Sequence, residues 1–268
     1  MQGRLEISFE RQGGLTRTCT LSHQAPLRVI RAFYPEGGNP AHVFLLNTTG
    51  GVLCGDELLL RLALGPGAQV LLTTPSAMRI HPARGRGASQ KTVIRLGEGA
   101  VLEYLPEPTL PFAGSSFSQE TEIFLADGAV LFYWDLLGPG RLGKGERFAY
   151  RSFQNRFRIY ESEALLVEES FRLAPAERLL SDLGVMEEFT HLGSLYIVGV
   201  RDPEKLLSAF RGVDLPGVFW GASALAGRGV SVRALSRETP ALQTLFGELW
   251  RSFRSEVLGR GLPPVRRY

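Results

Sequence analysis

The 268 residues, 44% hydrophobic and 21% charged, are enough for one large domain or two small ones, with a core that needs no covalent staples. The net charge of +3 comes from scattered arginines, with Lys91, Lys144 and Lys205 as the only lysines. No basic stripe with interleaved aromatics suggests nucleic-acid binding, no apolar run approaches a membrane span, and the first residues lack the form of a signal peptide, so a cytoplasmic protein is expected.

From the N-terminus, short alternating or apolar runs between glycine-rich turns predict strands at Leu5–Phe9, His42–Asn47, Glu57–Leu64, Val70–Thr74 and Lys91–Leu96. The same pattern continues at Val101–Leu105, Glu120–Leu125, Val130–Leu136, Phe148–Ile159 and Ala164–Phe171. Three junctions resemble one another: Gly65-Pro66-Gly67-Ala68, Gly97-Glu98-Gly99-Ala100 and Ala126-Asp127-Gly128-Ala129. Each ends one strand and begins the next, and they recur about every 30 residues, within the range of solenoid units. The glycine permits a positive φ, and the small alanine lets the following strand pack closely. Strand pairs joined this way stack into a β-helix or two-sheet array; ordinary hairpins in a sandwich are the other solution.

Beyond about residue 175 the pattern changes. Leu195–Val200 reads as a strand, and Asp202-Pro203 opens a short helix to Phe210. Val218–Leu225 and Val230–Leu235 form a hairpin pattern around Gly227-Arg228-Gly229. Thr239-Pro240 leads into a helix over Ala241–Leu258, with Leu242, Leu245, Phe246, Leu249, Trp250 and Phe253 at helical spacing. No linker is visible, so one domain is expected over 1–268: a strand-rich repeat region, 1–175, and a mixed strand and helix region, 176–268, packed on it.

The common catalytic signatures are absent: no GxSxG elbow, no HExxH helix, no phosphate-binding glycine loop. Cys19 and Cys54 form no CxxC pair, and His23, His42, His81 and His191 have no ligand spacing. The densest polar motif is Asn47–Asp56, which reads either as a tight reversal braced by Asp56 or as an acidic site beside the Cys54 thiol. Thr73-Thr74-Pro75-Ser76-Ala77 ends a strand with hydroxyls and a proline. Glu103, Glu107, Asp135, Glu146 and Glu168 lie on or beside strands. Any that point inward need a partner, water or a cation.

An ordered set of these stretches resembles the UreD (UreH) family of urease accessory proteins. They are Asn47–Asp56, Thr73–Ile80, Leu102–Pro108, Gly140-Arg141 with Gly145–Phe148, and the closing Leu249–Arg251, Leu258–Arg260 and Pro263–Arg266. Cys54 departs from the pattern, standing where the family has glycine or a varied residue, and the extreme terminus lacks the Arg-Ile-Trp ending of many members. The resemblance implies an all-β, β-helix-like stack of sheets with two helices in the C-terminal third. It implies a non-catalytic scaffold linking apo-urease to the UreF–UreG GTPase assembly, with an internal passage for nickel. No tightly bound cofactor is implied; Ni²⁺ is a transient passenger. A route that must release its ion suits isolated carboxylates and water better than a closed His/Cys site.

On this reading Asp56, Glu103, Asp135, Glu146 and Glu168 are candidates for the nickel route. Trp250, Arg251, Arg254, Arg266 and Arg267 are candidates for partner binding, because Trp and Arg are frequent interface anchors. Two other readings compete: a carbohydrate-active β-helix enzyme, which needs clustered Asp, Arg or Lys on one solenoid face, and a β-sandwich module for a small ligand.

Overall fold

The computed structural model describes residues 1–226 and 228–264. Gly227, and 265–268 with the candidates Arg266 and Arg267, lie outside the described residues. The chain begins with β1 (Gln2–Gln12), β2 (Leu15–Gln24), β3 (Leu27–Val29), β4 (Ala41–Asn47), β5 (Glu57–Leu64) and β6 (Gln69–Thr73). Next come β7 (Met78–Ile80), β8 (Ala88–Leu96), β9 (Val101–Leu105), β10 (Thr109–Pro111), β11 (Ser116–Leu125) and β12 (Val130–Leu137). The rest is β13 (Ser152–Glu161), β14 (Ala164–Leu173), β15 (His191–Val198), α1 (Pro203–Phe210), β16 (Val218–Ala224), β17 (Gly229–Ser236) and α2 (Thr239–Glu256).

Two sheets face each other. The first runs β14-β13-β11-β8-β5-β1-β2, the second β16-β17-β15-β12-β9-β6-β4-β3. In the first, β1, β5, β8, β11 and β13 pair in parallel; in the second, β4, β6, β9 and β12 do. The chain therefore winds from one sheet to the other in stacked coils, with the short parallel pair β7 and β10 on a narrow third side. This is a β-solenoid; a hairpin sandwich would pair successive strands antiparallel.

The repeated junctions are the coil corners. Gly67, Gly99 and Gly128 adopt φ of 64°, 62° and 68°, and a 3.0–3.1 Å backbone bond closes each turn from Ala68, Ala100 or Ala129. The corners also bond to one another: the Gly67 N–H donates to the Glu98 carbonyl at 2.8 Å, and Gly99 to Asp127 at 3.0 Å. All three alanines are buried. The glycine supplies the left-handed residue, and the alanine keeps the corner thin enough for the next coil to stack.

Alternation along the strands builds two cores. Leu5, Leu60, Ile94, Ile123 and Ile159 from the first sheet meet Leu72, Leu102, Leu131 and Val198 from the second. The opposite face of the second sheet, with Leu71, Phe132, Trp134, Ile197 and Val232, packs on α1 and α2. Asp202 caps α1 by accepting the Lys205 N–H at 3.0 Å.

Some boundaries differ from the sequence reading. The strand expected from Phe148 begins at Ser152, because Phe148 has a φ of 53° and its N–H turns back to the Pro139 carbonyl. β2 was not expected: it is exposed almost throughout, so no apolar alternation marks it. Trp250 and Arg254, expected as surface anchors, are core residues of α2, because each faces the second sheet rather than solvent.

Candidate functional site

The space between the sheets is not uniformly apolar. On the first sheet Gln90, Gln119 and Asn155 sit side by side in register, one from each of β8, β11 and β13. Facing them on the second sheet is a row of tyrosines, Tyr104, Tyr133 and Tyr196, with Asp135 and Ser194 paired one step along. Burial raises the pKa of all three phenols, so they stay protonated.

Asp135 lies at the centre of this seam. Its Oδ2 accepts from Gln119 Nε2 at 2.6 Å, and the same amide nitrogen bonds Asn155 Oδ1 at 3.2 Å. Burial raises the Asp135 pKa, against the Gln119 hydrogen bond, which favours the charged form. Two cavities meet at Tyr133 and Asp135. The larger, about 170 Å³, extends past Gln119 and Tyr104 to a mouth formed by Asn47, Gly50, Gly51, residues 74–78 and Glu107. The smaller, about 10 Å³ and thus room for one water, continues past Asn155 to Glu169 and Tyr196. There the Tyr196 hydroxyl donates to Glu169 at 2.5 Å, and Arg233 pairs with Glu169 at the far end.

Hydrogen bonds hold the mouth. Asn47 Oδ1 accepts from the Thr49 N–H and hydroxyl at 3.0 and 2.7 Å, and its Nδ2 donates to the Gly51 carbonyl at 3.1 Å. Gly51 cannot carry a side chain, since a Cβ would come within 2.6 Å of the Arg79 carbonyl oxygen. The Thr74 hydroxyl accepts the Glu107 N–H at 2.8 Å, tying the Thr-Thr-Pro loop to the Pro106–Pro108 stretch.

Of the five acidic candidates, only Asp135 lines this space. Asp56 braces the reversal below the mouth: Oδ2 accepts the Leu53 N–H at 2.9 Å and Oδ1 pairs with the Met1 α-ammonium at 2.7 Å. Glu103 points to the other face of its sheet, where Trp250 Nε1 donates to it at 2.5 Å. Glu146 is held by Arg141 and accepts the Ala113 N–H at 3.1 Å; Arg141 pulls its pKa down. Glu168 lies on the exposed outer face of the first sheet, 3.2 Å from Arg158. Strand alternation or loop pairing keeps these four out of the two cavities, while Arg251 is exposed and pairs with Glu248.

Sequence reasoning missed Gln119, Asn155 and the tyrosines. The signal was present: counting back by twos from Leu125 and Ile123 puts Thr121 and Gln119 inward, and from Ile159 and Phe157 it reaches Asn155. Among the described residues no three His, Cys, Asp or Glu side chains converge on a metal position. The cavity's lining is amide and hydroxyl groups around the interior carboxylate of Asp135, with Glu107 at the mouth and Glu169, paired with Arg233, at the far end.

Comparison with known proteins gives one consistent result. Residues 1–267 match the family described as UreD urease accessory protein. A urease accessory protein UreD of Herpetosiphon aurantiacus is 34% identical over 97% of this chain and 93% of its own length. That of Klebsiella aerogenes is 33% identical over 97% and 93%. That of Lysinibacillus sphaericus is 31% identical over 94% of both chains.

Proposed function

Because the chain belongs to the UreD family of urease accessory proteins, we propose that it serves urease maturation as a non-catalytic scaffold whose inter-sheet seam conducts Ni²⁺ toward the apo-enzyme. One observation carries this reading. Three of the family-like stretches, Asn47–Asp56, Thr73–Ile80 and Leu102–Pro108, are far apart in sequence yet contribute residues to one cavity that leads inward to Asp135. A structural turn motif alone gives no reason for all three to meet at a polar opening.

In this reading the ion enters the larger cavity with water and exchanges that water for amide and hydroxyl oxygens where the space narrows to room for one water, with Asp135 the carboxylate common to both cavities. Weak binding at each point allows release. UreF and UreG are the proposed partners on the supply side, with apo-urease on the receiving side. The chain itself has no phosphate-cradling loop, so GTP turnover belongs to a partner.

The test is complementation. Urease is produced with its accessory proteins, with this chain present, absent, or replaced by Asp135→Asn, and nickel per active site is measured. Loss of loading without the chain supports the maturation role. Reduced loading with Asp135→Asn, at unchanged complex formation, supports the conduit; normal loading by that variant removes Asp135 from it.

A further inference from the structure

Aligned strand for strand, the sheet orders match β2 with β3, β1 with β4, β5 with β6, β8 with β9, β11 with β12, β13 with β15 and β14 with β17. β16 is left without a counterpart. Contacts across the seam fix the last two levels. Phe157 on β13 stacks on Tyr196 of β15 with centroids 4.3 Å apart, and Glu169 on β14 pairs with Arg233 on β17. β16 therefore overhangs the first sheet by one strand.

Its side chains alternate. Val218, Trp220 and Ala222 pack toward the helices. Phe219, Gly221 and Ser223 face the level that the first sheet does not reach. Phe219 is 68% exposed, and a Cβ on Gly221 would meet nothing within 4 Å. Beside this ledge, β14 is paired only with β13, and among the described residues no backbone bond reaches its outer edge. An open strand edge lying next to an uncharged ledge one strand wide, bounded at Phe219 by the stacked ring of Phe189 with centroids 6.2 Å apart and open at Gly221 and Ser223, has the dimensions of a missing strand.

We infer that this step is a docking slot for one extended segment of a partner protein, which adds to the edge of β14 and lays its inward side chains on Phe219, Gly221 and Ser223. Strand addition supplies main-chain bonds from the edge and selectivity from alternate side chains. β16 carries no charge, so the inward residues of the segment are apolar. Glu169, the inward charge on β14, is neutralised by Arg233 and does not bar the slot. Outward, the segment runs beside Glu168 and Arg172, so its alternate residues are polar, and it contains no proline where the ladder needs an N–H. A second copy of the chain does not fit. Antiparallel pairing of two β14 edges about a two-fold axis brings the β17 of one copy into the place of the other's β16. Pairing two β16 edges leaves a gap two strands wide between the β14 edges. The slot does not depend on the nickel reading.

The test uses the full chain and a phage-displayed library of random peptides, about a dozen residues long, enough for one strand. Selected peptides are measured against the unaltered protein, Gly221→Arg and Phe219→Glu, after thermal unfolding confirms that the variants are folded. Gly221→Arg points into open space, so it keeps the fold and fills the slot. The expected result is a period-two apolar pattern, binding at least about tenfold weaker to Gly221→Arg, and slowed amide exchange across Leu165–Arg172. Equal binding to the filled variant, protection confined to β16, failure to select any peptide, or a concentration-dependent dimer that protects β14 each overturns the proposal.

Discussion

Glu103 on β9 and Arg254 on α2, 151 positions apart in the chain, meet at 3.4 Å in the fully buried seam between the second sheet and the helices. Arg254 also reaches Glu36 at 2.5 Å, which in turn holds His42 at 3.0 Å. The helix is thus locked to the sheet by charge as well as by apolar packing. Above a pH of about 7, where Glu103 is ionised, removing its partner leaves an uncompensated buried charge, which typically costs about 3–5 kcal/mol. Arg254→Met is therefore expected to destabilise the protein by about that much in urea titration at such a pH. Adding Glu103→Leu to the same protein should restore part of the loss, because one stranded carboxylate is then gone.

The same cluster gives stability a pH dependence. Burial lifts the Glu103 pKa to about 7, against the pull of Arg254 and the Trp250 N–H. Glu36, His42 and Arg260 complete the surrounding charges. The folded protein holds the Glu103 proton up to about 7 while the unfolded chain releases it near 4.5. The contribution is thus full below pH 4.5 and is lost as pH rises to about 7. Its size is roughly 3 kcal/mol at most. Burial lowers the His42 pKa and acts with the opposite sign, destabilising as pH falls. Comparing the protein with Glu103→Gln separates the two: the variant should gain relative stability across pH 5–7. A melting-temperature difference that does not change with pH would remove Glu103 as the cause.

The coil corners make a second stability prediction. Gly99 has a φ of 62°, and a Cβ there would meet nothing within 4 Å. Gly99→Ala therefore introduces backbone strain with no clash, and an expected loss of about 1–2 kcal/mol. Asn, which tolerates the left-handed region better, should recover part of it. Chemical denaturation of the two variants tests the assignment, and equal stability of Ala and Gly would contradict it.

The coil corners were legible in sequence because they repeat, and alternation on either side marks which residues face the core; the repeat alone fits a sandwich as well as a solenoid, and the UreD resemblance favours the solenoid. The edges were not. β2 is exposed on both faces, and the pairs β7 and β10 are three residues long, so neither leaves a periodic trace. The site was half legible. Asp135 sits among Tyr133, Trp134 and Leu136, where a carboxylate in an apolar strand stands out. Gln119 does not, because a neutral amide between Ser118 and Glu120 looks like ordinary surface. Glu103 was misplaced because Leu102, Glu103, Tyr104 and Leu105 are all buried, and a strand covered on both faces does not reveal which core receives its carboxylate.

Asp56 and Asp135, grouped by sequence, are separated by the structure, and parallel amide substitutions should show it. Both Asp56 oxygens brace the reversal, one on the Leu53 N–H and one on an ammonium. Asp56→Asn keeps the volume but loses the charge and one acceptor, so stability should fall by about 1 kcal/mol. Nickel loading should follow only as far as the folded fraction does. Asp135 is the opposite case. Its charge is disfavoured by burial, and its hydrogen bond to Gln119 can be kept by an amide carbonyl. Asp135→Asn should leave stability unchanged or raise it slightly, while nickel per urease active site falls. Thermal unfolding and metal analysis of the two variants, side by side, distinguish brace from conduit. A destabilised Asp135→Asn that loads nickel normally would make Asp135 a second brace and leave the junction of the two cavities without a conducting carboxylate.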